Sequence, residues 1–212
     1  MVKRLVCGVG INDADYVVKL VETIYEGNKR KQRTVWTCPF HKKWSGMLER
    51  CYSHRRQETQ KSYIDCNVCD EWLTFSNFKS WMELQDWEGK QLDKDLLVRR
   101  NKIYSPETCV FISGRINTFL TERNSARGKL PIGVCYMPKH EDMVNERTKP
   151  YVPQAGGKYL GYFSTPEEAH EAWLKAKLEL AKELAAEVLA EGGDPRVAKA
   201  IVERYENYKE SP

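Results

Sequence analysis

The sequence predicts an α+β protein, in which a strand–turn–strand–helix unit precedes a small three-stranded antiparallel sheet packed on a long helix. Two strand-like runs, 92–98 and 103–112, are followed by a helical pattern from Arg115. Three further strand candidates lie within 132–163, and a long amphipathic helix begins near Pro166. Strands and helices that fall in separate groups are typical of the α+β class.

Two helices are predicted upstream of this unit. The first covers 44–52, where apolar side chains recur at helical spacing, and the second covers 75–87. The buried face of the second helix is predicted to consist of Phe75, Phe78, Trp81, Met82 and Trp87. Residues 16–21 fit either a strand or a short helix. The basic stretch 28–33 is predicted to be a turn-like loop, either simply solvated or in contact with phosphate.

The C-terminal half is predicted from short strands and helix-start signals. Its strand candidates are 132–137, 149–153 and 158–163, with Gly156-Gly157 as a tight hairpin between the last two. Thr165 before Pro166 and two glutamates predicts a capped helix that runs to about Ala190. Asp194-Pro195 begins a last helix. The predicted divisions of the chain are 1–35, 36–122, 127–190 and 194–209.

Charge is unevenly distributed along the 212 residues. Residues 164–191 carry seven acids and three bases, a net charge of −4, and 192–212 carry four of each. Since the net charge of the whole chain is +4, the first 163 residues carry a net charge of +8. A basic body attracts polyanions, although a solvated basic surface has the same composition. No apolar run approaches the roughly 18 residues that a membrane span needs, and the N-terminus lacks a secretory pattern. We therefore expect a cytoplasmic protein without a membrane partner.

Two carboxylates at alternate positions form the first candidate site. On a strand, Asp93 and Asp95 would point to the same face. Carboxylate and amide oxygens are ligands that Mg²⁺ accepts, and a bound Mg²⁺ stabilises charge on a cleaved phosphodiester. The alternative is a solvent-facing strand edge paired with Lys94, Arg99 or Arg100.

Cysteines form a second, weaker candidate. Cys66 and Cys69 make half of a Zn²⁺ knuckle, which Cys38 with His41, or Cys51 with His54, could complete. The alternative is that the seven cysteines are reduced, small core residues.

The C-terminal sheet is the candidate DNA-binding surface. A three-stranded sheet can enter the major groove of duplex DNA, where alternate side chains reach bases and phosphates. The predicted contacts are made by Arg127, Lys129, Arg147, Lys149, Tyr151, Gln154 and Lys158. The alternative is a small α+β domain with a basic surface.

Several motifs together resemble known families. Residues 36–120 resemble the HNH-endonuclease-like proteins of tailed phages, through Trp44–Tyr52, Val68–Trp72, Leu92–Leu97, Asn101–Cys109 and Asn117. Residues 127–185 resemble the Apetala-like DNA-binding domain of plant ethylene-response factors, which also occurs fused to phage and homing nucleases. The motifs there are Arg127-Gly128, Pro131–Val134 and Leu160–Trp173.

The first resemblance implies a ββα-metal core with one divalent ion, Mg²⁺ or Mn²⁺. Asp93 matches the acid ligand and Asn117 the ligand on the helix. Lys94 stands where the general-base histidine is expected, and lysine, with an ordinary pKa of about 10.4, is a poor base at neutral pH. Asp95 would then serve as the base or as a second ligand.

Three functions follow as hypotheses. The first is a divalent-metal-dependent DNA endonuclease in the host cell cytoplasm, with Asp93, Lys94, Asp95 and Asn117 as the catalytic cluster. The second is an HNH scaffold without catalysis that binds duplex DNA. The third is a phage regulator that binds a host protein through the acidic helix 166–190.

Overall fold

The computed structural model describes residues 5–27, 29–121, 129–138 and 148–208. The chain divides into two compact units, Met1–Ser113 and Gly114–Pro212, and both contain helices and strands. The predicted α+β class is therefore confirmed. The first unit ends at Ser113, so the helix that begins at Gly114, which was predicted to belong to the domain 36–122, lies in the second unit. No helix among the described residues is long and apolar enough to cross a membrane.

The first unit consists of paired short strands and helices. Its elements are β1 (Lys19–Glu26), β2 (Lys29–Thr37), α1 (Pro39–Tyr52), α2 (His54–Thr59), β3 (Asn67–Val68), α3 (Phe75–Glu83), β4 (Gln91–Asp93), β5 (Ile103–Tyr104) and β6 (Val110–Ile112). β1 pairs with β2 and β4 with β6, both antiparallel, whereas β3 pairs with β5 in parallel. The strand predicted over 92–98 was too long, because β4 ends at Asp93.

The core of the first unit lies between α1 and α3. The apolar spacing of α1 correctly predicted its buried residues, which are Trp44, Met47, Leu48 and Cys51. On α3, Phe75, Phe78 and Met82 are buried as predicted. Trp81 is only half-buried, and the half-buried Trp87 lies outside the helix, because α3 ends at Glu83 rather than at 87. The indole N–H of Trp44 donates to the carbonyl of Trp72 over 2.7 Å. This bond joins α1 to the turn before α3 and satisfies a polar group that is otherwise deep in the core.

The hairpin of β1 and β2 corrects the prediction of a loop at 28–33. Residues 29–33 belong to β2 and pair with β1. Gly27, with a φ of +59°, lies in the two-residue connection between Glu26 and Lys29. Glycine adopts this left-handed conformation without the clash that a Cβ atom would cause.

The second unit contains a three-stranded sheet and three helices in its described residues. Its elements are α4 (Gly114–Leu120), β7 (Val134–Tyr136), β8 (Tyr151–Ala155), β9 (Lys158–Tyr159), α5 (Pro166–Ala190) and α6 (Pro195–Glu206). The sheet has the order β7-β8-β9, with both pairs antiparallel. The predicted hairpin is present, with φ values of +56° at Gly156 and +77° at Gly157.

The start of α5 matches the cap that its sequence predicts. The Thr165 hydroxyl accepts from the amide of Glu168 at 3.2 Å, and the Glu168 carboxylate accepts from the amide of Thr165 at 3.3 Å. This reciprocal pair satisfies two amides that helix formation leaves without partners. Lys177 of α5 donates to the carbonyl of Phe119 at 2.8 Å, and its ammonium lies 3.5 Å from the centre of that ring. These contacts explain why α4 belongs to the second unit.

Gly133 allows the chain before β7 to approach α5 closely. A Cβ atom on this residue would lie 2.1 Å from Cδ1 of Trp173, and its φ is +80°. Gly157 has nearly the same φ, +77°, but a Cβ atom there would meet nothing within 4 Å. Alanine substitutions at these two glycines can therefore distinguish the free-energy cost of backbone strain from that of a steric clash.

We predict that Gly133→Ala lowers the free energy of unfolding by about 3 kcal/mol, because it adds overpacking to an unfavourable φ. Gly157→Ala, the matched control, is expected to cost about 1 kcal/mol, since only the backbone term remains. Urea unfolding followed by circular dichroism measures both. Equal losses in the two variants would contradict the proposed contact with Trp173.

Candidate functional site

The segment after β4 holds the predicted carboxylates in a turn. Asp93 is the last residue of β4 and pairs with Val110 of β6. Its Oδ1 accepts hydrogen bonds from the amides of Asp95 at 3.0 Å and Leu96 at 2.8 Å. The expectation that Asp93 and Asp95 share a strand face is therefore wrong. The short aspartate side chain binds the backbone that follows it and ends the strand.

The electrostatics of Asp93 disfavour its charge. Burial, followed by the negative charge of Asp95, raises the pKa of Asp93 above its ordinary value. The amide hydrogen bonds and the nearby charge of Lys94 oppose this shift only in part. Asp93 is thus a carboxylate whose charged form is destabilised by its surroundings.

Lys94 is a buried cation. Its side chain is 8% exposed, and its Nζ donates to Oδ2 of Asp95 over 2.8 Å. Burial alone lowers the pKa of Lys94, but the hydrogen bond and the charge of Asp95 outweigh it, and the net pKa lies above the ordinary value. A lysine with a raised pKa stays protonated at neutral pH, so it cannot accept a proton from water. The expectation that Lys94 is a poor general base agrees with this protonated, ion-paired state.

Tyr104 lies near this lysine and in turn contacts Arg50, and the sequence analysis did not predict either residue. The Nζ of Lys94 lies 6.0 Å from the ring centre of Tyr104. Arg50 of α1 donates from Nε to the Tyr104 hydroxyl at 3.1 Å and lies over the ring of Tyr63. The sequence signal for Arg50 was its helical spacing, because it follows the buried Met47 by three residues on α1 and the two side chains are therefore neighbours on the helix surface.

Asn117 belongs to a different unit from the two aspartates. It lies on α4, and its carbonyl accepts from the Thr121 hydroxyl at 2.8 Å. Asp93, Lys94 and Asp95 lie together in the first unit. The described residues contain no group of three or more His, Cys, Asp or Glu side chains that could hold a metal ion.

The cysteines suggested as Zn²⁺ ligands are free thiols in the first unit. Cys66 is buried and Cys69 half-buried, and burial raises the pKa of Cys69. Cys51 is buried, whereas the side chain of His54 is 90% exposed and lies 3.2 Å from Glu58.

The ring of His41 packs against Trp44 and Phe75. Burial and Lys19 lower the pKa of His41, as expected of a neutral core histidine.

Four of the five predicted DNA contacts that the structure describes are exposed. Lys129, Lys149, Gln154 and Lys158 are exposed, and Tyr151 is half-buried. The Tyr151 ring lies 5.3 Å from that of Tyr136, which is opposite it in the sheet. Arg127 and Arg147 lie outside the described residues.

The strand register places polar and aromatic groups side by side. Gln154 is opposite Tyr159, so their side chains share one face of the sheet, and Tyr159 is 64% exposed. Tyr136, which is opposite Tyr151, and Lys158, which is opposite Ala155, are also exposed but lie on the other face of the sheet. Tyr162, which follows β9, is exposed as well.

Over the whole of 129–163 the sequence carries five bases and three acids, a net charge of +2, whereas 164–191 carry seven acids and three bases, a net charge of −4. The net charge therefore changes from positive to negative between the segment that contains the sheet and the segment that contains α5.

Comparison of the chain with models of protein families, with curated proteins and with solved structures finds no match.

Substitutions of Asp93 and Asp95 are predicted to change the free energy of unfolding in opposite directions. We expect Asp93→Asn to raise the free energy of unfolding at pH 7, because the amide keeps an oxygen acceptor for the two backbone N–H groups and carries no charge to bury. The raised pKa of Asp93 means that the wild type loses stability as pH rises above the unfolded value of about 3.9. Urea unfolding at pH 3.5 and 7 should show the gain only at pH 7. A loss at pH 7 would contradict this account.

Asp95→Asn should instead lower the free energy of unfolding at pH 7, by about 1 kcal/mol. The substitution leaves the buried ammonium of Lys94 without its counter-charge. The expected loss of unfolding free energy is small, because the Asp95 side chain is 46% exposed and water partly screens the ion pair. The same urea titration serves as the measurement, and equal stability of the variant and the wild type would show that the ion pair contributes nothing.

Proposed function

We propose that the protein binds duplex DNA through the exposed side chains of 129–138 and 148–163, the segments that contain β7, β8 and β9. The observation that carries the proposal is the set of exposed groups around the sheet, namely three lysines, Gln154 and exposed tyrosines. The net charge is +2 over 129–163 and −4 over 164–191, which favours a polyanion on the sheet segment. The resemblance of 127–185 to the Apetala-like domain supports the same surface.

The side chains on this surface match the chemistry of DNA. Lys129, Lys149 and Lys158 are exposed ammonium groups that can neutralise phosphates. The Gln154 amide can pair with an adenine edge in the major groove. Exposed Tyr159 beside it supplies a hydroxyl and an apolar ring. Phosphate contacts position the sheet, and the amide gives a means of reading sequence.

Cleavage of DNA is the second candidate function. The order β4, β6, α4 follows the strand–strand–helix order of an HNH core, with Asp93 at the end of β4. The described residues do not fit a Mg²⁺ or Mn²⁺ site, because Asp93 Oδ1 is held by two amides and Asp95 is paired with Lys94. We therefore favour a non-catalytic HNH-like scaffold that binds DNA over an endonuclease.

Removal of lysines from the sheet tests the binding proposal. We expect the double variant Lys149→Ala/Lys158→Ala to bind a 30-bp duplex more weakly and to reduce the slope of log affinity against log salt by about 2, because two phosphate contacts are lost. Fluorescence anisotropy at several salt concentrations measures both quantities. Lys182→Ala on α5, which removes an exposed lysine paired with Glu179, is the control and should change neither. Equal effects in all variants, or no binding by the wild type at 50 mM salt, would refute the proposal.

Incubation with plasmid DNA and Mg²⁺ or Mn²⁺ separates the two candidates. We expect supercoiled plasmid to stay intact and Asp93→Ala to bind duplex DNA like the wild type, because Asp93 belongs to the first unit and the proposed sheet surface to the second. Gel electrophoresis and the anisotropy assay supply the readouts. Metal-dependent nicking that Asp93→Ala abolishes would establish the endonuclease instead.

A further inference from the structure

The β1–β2 hairpin is exposed along nearly its whole length. In β1 only Ile24 is half-buried, and in β2 only Thr37 is. A two-stranded hairpin that buries neither face is marginally stable in water. Cross-strand pairs support it: Arg33 donates to Glu22 over 2.8 Å, and Lys31 pairs with Glu26. Such a ribbon has both faces available to a partner.

The register divides the ribbon beyond its bulge into two chemically different faces. Cross-strand partners share a face, and alternate residues of one strand share it too. The ion-pair face carries both carboxylates and three bases, and consists of Glu22, Ile24, Glu26, Lys29, Lys31 and Arg33. The open face carries no carboxylate, and consists of Val21, Thr23, Tyr25, Arg30, Gln32 and Thr34.

The open face has the side chains that recognise base edges. Arginine pairs with guanine through two hydrogen bonds, and glutamine pairs with adenine in the same way. Threonine hydroxyls bond to either, and a methyl group packs on thymine. Arg30 and Gln32 are alternate residues of β2, flanked across the ribbon by Tyr25 and Thr23. Tyr25 is 71% exposed.

We propose that the β1–β2 ribbon is a second DNA-binding element, which inserts its open face into the major groove of B-form duplex DNA. The inference rests on the proposed function and adds a binding element in the other unit. The B-form major groove, about 12 Å wide, admits a two-stranded ribbon. The major groove of duplex RNA is too narrow for side chains to read, so the ribbon selects DNA. The ribbon residues 21–26 and 29–34 carry four bases and two acids, which favours a polyanion.

Neighbouring residues on opposite faces supply the test. Arg30→Ala and Lys31→Ala each remove one positive charge, but only Arg30 lies on the open face. In the full chain, we expect Arg30→Ala to weaken binding to a 30-bp DNA duplex about tenfold, and Lys31→Ala to weaken it by less than about threefold, as one screened charge would. Circular dichroism of both variants checks that the fold is unchanged. On a duplex RNA of the same sequence, the two variants should behave alike.

The possible outcomes separate this inference from the proposed function. If Lys149→Ala/Lys158→Ala weakens DNA binding but Arg30→Ala matches Lys31→Ala, the ribbon is not a groove-binding element and only this inference fails. If the wild type binds no duplex, both proposals fail. If sedimentation shows a dimer that Tyr25→Ala dissociates while DNA affinity is unchanged, the ribbon is a contact between copies of the chain, which also overturns the inference.

Discussion

The contact between Gly133 and Trp173 is the constraint on which the second unit depends. Its three strands are short, and such a small sheet needs a helix behind it for stability. Gly133 permits the ring of Trp173 to lie where a Cβ atom would be. The capping box at Thr165 then sets where α5 begins. The same helix carries six acids and three bases, so its net charge is negative.

In the first unit, the burial of Lys94 determines the electrostatics of the segment after β4. The ammonium is held by Asp95 and lies near the ring of Tyr104, and its pKa is raised. A protonated lysine donates hydrogen bonds and accepts no proton. Asp93, in turn, uses one oxygen to form the turn that follows β4. Both residues thus have structural roles in the segment after β4.

Two surfaces in two units have a similar composition, and the similarity links the proposals. The sheet surface offers lysines, Gln154 and tyrosines, and the open face of the ribbon offers Arg30, Gln32 and Tyr25. Neither contains a carboxylate in its described residues. Phosphate neutralisation supplies affinity and amide or guanidinium groups supply selectivity, so each surface combines the two components that sequence-selective DNA binding requires.

The sequence by itself determined the α+β class, α1, α3, the three C-terminal strands and the limits of α5, because helical periodicity, paired glycines and a hydroxyl cap act over a few residues. It also contained the signal for the β1–β2 hairpin in Gly27-Asn28 between two strand-like runs, which the basic composition of 28–33 obscured. Only the tertiary structure decided that β4 ends at Asp93, that Lys94 is buried against Asp95 and Tyr104, and that α4 packs with Lys177 in the second unit. These depend on contacts between residues far apart in the chain or on burial, and neither can be deduced from local spacing.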